Sequence, residues 1–148
     1  MAAVERVLVV CVGNICRSPL GERLLKQALP ESVAVTSAGI GALVGHPADE
    51  TASDVASDKG LSLDGHAARQ FTPEMGAEQD LILVMEPGHR RQILREAPHL
   101  QGRVMLFDQW TGATGIADPY KRSRAVHEAT FDAVHKAARA WADRLGAK

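Results

Sequence analysis

Apolar positions along this chain come in short blocks whose period changes from block to block. Val4–Val10 is a Val-rich apolar run, the pattern of a strand buried on both faces. Gly13 and Asn14 break it. Ser18-Pro19 then predicts a helix start, since Ser caps helices and Pro is tolerated at the first helical position. Leu20, Leu24 and Ala28 recur at helical spacing beside Leu25, and Pro30 closes the segment. A second strand is expected over Val33–Ser37, followed by a loop through Gly39, Gly41 and Gly45. Asp49–Lys59 reads as a helix capped by Asp49, with Ala52, Val55 and Ala56 inward and Gly60 at its end. Thr72-Pro73-Glu74 starts a short helical turn, Asp80–Met85 is a third strand, and Pro87–Glu96 is a helix. Arg103–Phe107 is a fourth strand. A long loop, Asp108–Lys121, leads to a last helix beginning near Arg122, with Phe131, Val134, Ala138, Trp141 and Leu145 as its inner face.

Strands that alternate with helices predict an α/β fold with a parallel sheet and helices on both faces. No internal repeat or linker interrupts residues 1–148, so one domain is expected. Ligands in such folds bind beyond the carboxyl ends of the strands. The loop after strand 1 is therefore the first candidate site.

Composition narrows the classes. A net charge of −1 with no basic stripe argues against nucleic acid as a partner. No apolar run is long enough to cross a bilayer, and Val7–Val12 is too short for a secretory core, so neither membrane nor signal peptide is expected. The two cysteines, Cys11 and Cys16, are too close in sequence to staple distant segments and too few for a Cys-rich zinc site. Free thiols in a reducing, cytoplasmic compartment are the expectation. No His/Asp/Glu cluster at ligand spacing predicts a metal, and no cofactor is expected.

The loop reads Cys11-Val12-Gly13-Asn14-Ile15-Cys16-Arg17-Ser18-Pro19. Its core, Cys-x5-Arg, is weak as a bare pattern, and a cysteine at a strand end is often just a small apolar residue. Placement between a buried strand and a helix start makes it specific. Backbone N–H groups of a tight Gly/Asn turn, with those of the helix start, form a nest for a tetrahedral oxyanion. That assigns phosphate binding to Val12, Gly13, Asn14, Ile15, Cys16, Arg17 and Ser18. Arg17 brings a planar fork for two phosphate oxygens. The same positive surroundings favour the thiolate of Cys11, placed for in-line attack on phosphorus to give a phosphocysteine. Ser18 is placed to donate to the Cys11 sulfur. The loop lacks the Lys-Ser/Thr pair of a nucleotide-binding Gly-rich loop.

These residues resemble the signature of the low-molecular-weight protein tyrosine phosphatases. The likeness extends through Ser37-Ala38-Gly39, Gly65-His66, Ala68-Arg69-Gln70, Asp80–Met85 and Asp118-Pro119-Tyr120. It is strongest toward bacterial members encoded with exopolysaccharide and capsule machinery. The resemblance implies a four-stranded parallel sheet and metal-free hydrolysis of phosphotyrosine. It gives Asp118 the role of general acid, with Asp108 as the rival carboxyl at the other end of the loop. Ser37 and His66 are implied to hold Asn14. Leu43 and Tyr120 are implied to grip the substrate ring, with Trp110 a third contact or a core residue. Cys16 is implied to trap oxidised Cys11 as a disulfide, or else to pack only. The implied partner is a phosphotyrosine protein, the Tyr-rich tail of a bacterial tyrosine autokinase, with phosphate- or sulfate-like anions in the site. A monomer or weak oligomer is expected. Two rivals remain on paper. Thiol-linked arsenate reductases share the fold and loop but need cysteines downstream, and none follows Cys16. A phosphoprotein-binding module keeps the cradle but loses nucleophile or acid, whereas Cys11, Arg17 and Asp118 are all present.

Overall fold

The Val-rich run becomes the centre of the sheet. In the computed structural model, which describes residues 3–146, β1 (Arg6–Cys11) lies between β2 (Ala34–Gly39) and β3 (Leu81–Val84). β4 (Val104–Leu106) flanks β3, giving the order β2-β1-β3-β4. Every pairing is parallel, with Cys11 opposite Gly39 and Val10 opposite Val84. Alternate side chains of β1 feed two cores. Val7, Val9 and Cys11 pack with Leu20, Leu24 and Leu25 of α1 (Arg17–Ala28) and with Val55 of α2 (Glu50–Asp58). Phe131, Val134, Ala138 and Trp141 of α5 (Arg124–Leu145) join the same core, and Leu145 packs at its edge. Leu8 and Val10 pack on the other face with Ile93 of α4 (Pro87–Glu96), Phe71 and Leu100. Burying each such large side chain contributes about 1.5–3 kcal/mol.

The predicted α/β architecture is found, and the element ends differ for identifiable reasons. Asp80 Oδ2 accepts from the N–H groups of Glu5 and Arg6 at 2.9 and 3.0 Å. Val4 thus falls outside β1, and Asp80 acts as a clamp rather than as a strand residue. β2 runs on to Gly39, where a Cβ would stand 2.2 Å from the Val12 carbonyl oxygen. Only glycine lets the end of β2 approach the loop so closely. Helix α1 opens at Arg17, with Cys16 as its uncapped preceding residue, not at a Ser18 cap. Ser18 lies inside the first turn and its hydroxyl is engaged elsewhere. The predicted cap Asp49 does accept from Ala52 N at 3.0 Å, and Thr72, at the predicted start of a helical turn, opens α3 (Pro73–Ala77) by accepting from Met75 N at 3.1 Å. Ser123, accepting from Val126 N at 3.3 Å, sets the start of α5 two residues past Arg122. A 3-10 turn at Pro98–Leu100 had no periodic signal.

Candidate active site

The loop between β1 and α1 is held open from behind. Carbonyls of Cys11, Val12, Gly13 and Ile15 accept from the N–H groups of Ile40, Gly41, Leu43 and Asp49 at 2.8 to 3.1 Å. The Asn14 carbonyl meets His66 Nε2 at 2.6 Å. Every carbonyl from Cys11 to Ile15 is thus drawn outward. Among the described residues, none of the N–H groups from Gly13 to Ser18 donates to a protein acceptor. Those uncommitted donors, running into the first turn of α1, form a cradle for an anion.

Asn14 ties the cradle together. It is fully buried and adopts a left-handed backbone with φ of 59°, which Asn tolerates better than most residues. Its Nδ2 donates to Ser18 Oγ at 2.8 Å and to Ser37 Oγ at 3.0 Å. Its Oδ1 accepts from Arg69 N at 2.9 Å. Ser37 in turn donates to the buried carboxylate of Glu22 at 2.8 Å. Ser18 Oγ lies 2.9 Å from Cys11 Sγ. Because that oxygen already accepts from Asn14, its own hydrogen is free to donate to the sulfur, which stabilises a thiolate.

Arg17 is 1% exposed and aimed by two acceptors. Its Nη1 donates to Glu86 Oε2 at 2.7 Å and to the Ile116 carbonyl at 2.6 Å. Its Nε has no protein partner, and Nη2 stands 3.8 Å from Asp118 Oδ2. One edge of the guanidinium is therefore locked while the Nε/Nη2 edge faces the cleft, a fork for two oxygens. The second partner of Glu86 Oε2 is His89 Nε2 at 3.3 Å. Burial, with help from Arg17, pushes the His89 pKa below its ordinary value, so His89 is neutral near pH 7.

The cleft is about 170 Å³ and is lined by Cys11, Val12, Gly13, Ile15, Cys16 and Arg17 at its base. Gly41, Leu43, Asp118 and Tyr120 form its walls. Asp118 reaches it from the loop before α5. Its Oδ1 accepts from Tyr120 N at 3.0 Å, which turns the carboxyl toward Arg17 and leaves Oδ2 accessible. Burial, then the nearby Asp49 carboxylate, pushes the Cys16 thiol far above its usual range. Cys16 is a neutral thiol beside Cys11.

Asp108 stands elsewhere. It is buried, and its Oδ2 accepts from the N–H groups of Thr114 and Gly115 at 3.2 and 3.0 Å. It shapes the long loop and does not line the cleft. Trp110 is neither core nor cleft wall: it is 42% exposed, packs edge-on against Trp141 and lies under Arg144. Sequence reasoning missed Glu22, Glu86 and His89, and gave Arg69 no role. Glu86 had a usable signal, as the polar residue just beyond the carboxyl end of β3. Glu22 had none, since a lone helix carboxylate reads as solvent-facing. Among the described residues no three His, Cys, Asp or Glu side chains stand close enough to hold a metal ion, and no helix is long and apolar enough to cross a membrane.

Known proteins share both the chain and the site-bearing fold. The protein is 51% identical over 139 residues to the low molecular weight protein-tyrosine-phosphatase Etp of Escherichia coli K12, covering 94% of this chain and 93% of Etp. The crystal structure of the tyrosine phosphatase Wzb from Escherichia coli K30, in complex with sulphate, superposes with a TM-score of 0.93 at 45% identity. It covers 97% of this chain and 99% of that one. Vibrio vulnificus Wzb in complex with benzylphosphonate gives 0.92 at 42% identity, covering 97% and 100%. Residues 6–148 match the family described as low molecular weight phosphotyrosine protein phosphatase, and the chain belongs to that family.

Proposed function

We propose that this protein hydrolyses phosphotyrosine in two steps through a phosphocysteine at Cys11. The observation that carries this reading is the row of uncommitted N–H groups from Gly13 to Ser18 above the Cys11 sulfur. Such a cradle binds a dianionic phosphoryl group and stabilises its equatorial oxygens as the reaction proceeds. The free edge of Arg17 takes two more oxygens. Cys11 attacks phosphorus from below while the phenolic oxygen leaves toward the mouth. Asp118, accessible at that mouth, donates the proton that makes the phenol a neutral leaving group. Its carboxylate then takes a proton from the water that attacks phosphocysteine. Ser18 stabilises the departing thiolate in that second step. Ser37, His66 and Asn14 hold the loop, and Leu43 and Tyr120 bracket the substrate ring. The binding of sulphate and benzylphosphonate by two relatives supports an anion in the cradle and an aryl group above it.

The substrate we infer is the phosphorylated Tyr-rich tail of a bacterial tyrosine autokinase that drives polysaccharide export. The resemblance to exopolysaccharide- and capsule-associated members supports it. Two buried free thiols suit a reducing cytoplasm as the working compartment. Substrate trapping tests the reading: Cys11→Ser keeps the cradle and Arg17 but cannot form the covalent bond. It is expected to retain a tyrosine-phosphorylated kinase from a lysate, released by vanadate. Retention of no phosphotyrosine protein by Cys11→Ser, alongside full turnover by the native protein, would contradict the inferred substrate.

A further inference from the structure

The mouth of the cleft is two-sided. One rim is apolar and solvent-facing: Val12 and Leu43 are 38 and 37% exposed, and Val44, next in the chain, is 66% exposed. The other is Tyr120, 40% exposed, followed by Lys121 and Arg122, both exposed. Lys121 has a left-handed backbone with φ of 62°, an unfavourable state for a residue with a side chain. That twist carries its ammonium back over the Tyr120 ring, 5.5 Å from the centroid, within range of a cation–π contact. Two other exposed cations are paired: Arg124 with Asp58, and Lys59 with Asp132. Among the described residues Lys121 and Arg122 meet no carboxylate within salt-bridge distance. The nearest acid in sequence, Asp118, is turned toward Arg17.

Resting on the phosphatase reading above, we propose that Lys121 and Arg122 select phosphotyrosine segments that carry an anionic side chain beside the phosphotyrosine. A ring entering between Leu43 and Tyr120 brings its own backbone to the rim, because the phosphate sits on the cradle and the ring spans the walls. One flank of the peptide then lies over Val12 and Val44, and the other passes Lys121 and Arg122. An acidic residue, or a second phosphotyrosine, on that flank meets two cations that hold no carboxylate partner of their own. Charge pairs at a rim act mainly through encounter rate and fade with salt. The selectivity therefore belongs in kcat/KM at low ionic strength rather than in kcat.

The experiment compares phosphotyrosine peptides flanked by Glu, by a second phosphotyrosine, by Ala or by Lys. Each is read as the ratio of its kcat/KM to that for p-nitrophenyl phosphate, which has no flanks. The native protein is expected to prefer Glu over Lys flanks by about tenfold at low salt, with the gap closing toward 1 M salt. The double variant Lys121→Glu with Arg122→Glu is expected to reverse the order. Preference for a second phosphotyrosine well beyond that for Glu identifies phosphate rather than carboxylate as the favoured anion. Equal ratios across all flanks, or an order unchanged in the double variant, overturn the proposal. Absence of p-nitrophenyl phosphate turnover by the native protein would instead strike the phosphatase reading beneath it.

Discussion

Asn14 concentrates more of the site's architecture than any other buried side chain, so its removal has a calculable cost. Asn14→Ala deletes two donated bonds to Ser18 and Ser37 and one accepted from Arg69 N. Each buried bond is worth about 1 kcal/mol. Alanine must also hold a φ of 59°, which costs about 1 kcal/mol more than for Asn. The expected loss is about 4 kcal/mol of stability, or about 10 °C in Tm for a domain this size. Asn14→Gly separates the two contributions, since glycine loses the same bonds but not the backbone penalty. Allowing for the greater freedom of glycine in the unfolded chain, it should be more stable than Asn14→Ala by about 0.5–1 kcal/mol. Urea unfolding followed by circular dichroism measures both. Turnover should fall in both variants, because Ser18 loses the partner that orients it toward Cys11. An Asn14→Ala protein within 1 kcal/mol of native, or an Asn14→Gly protein no more stable than Asn14→Ala, would refute the account of how the cradle is held.

Three further outcomes follow from the same geometry. Asp118→Asn should slow hydrolysis of phosphotyrosine by about 10²–10⁴-fold and that of aryl phosphates with acidic phenols much less, with the basic limb of the kcat/KM profile flattened; equal losses for all leaving groups would remove Asp118 as the acid. Arg17→Lys should cost about 3 kcal/mol in kcat/KM, because a point charge cannot replace a fork already fixed by Glu86 and Ile116; near-native constants would contradict the cradle. Dialysis against EDTA should leave activity intact; loss restored by a divalent ion would show that a metal participates.

The fold was legible because strand and helix blocks differ in period, and because parallel strands buried on both faces are apolar throughout. Val7–Val10 and Leu81–Val84 show that pattern plainly. Boundaries were less legible where side chains compete with the backbone. Asp80 replaces ladder partners at the foot of β1, and Ser18 gives up capping to reach Cys11 and Asn14. The base of the site could be read from nine consecutive residues, Cys11–Pro19. Most of its supports could not, because Glu22 of α1, Arg69 of the loop before α3 and His89 of α4 carry no local signature, whereas Glu86 stands just beyond the carboxyl end of β3. Asp108 and Asp118 looked alike as loop carboxyls. The resemblance alone favoured Asp118, and the fold separates the two physically, burying Asp108 against Thr114 and Gly115 and leaving Asp118 at the mouth of the cleft.

The central claim is that phosphate passes through Cys11. Rapid denaturing quench during turnover, followed by intact-mass analysis and peptide mapping, tests it most directly. Asp118→Asn with p-nitrophenyl phosphate is the best combination, because that acidic phenol leaves without the acid while losing the base for the second step prolongs the intermediate. The account predicts one phosphoryl group, on Cys11, appearing as substrate is consumed and absent from Cys11→Ser. Phosphate found on another residue, or sustained turnover by Cys11→Ser, would contradict it.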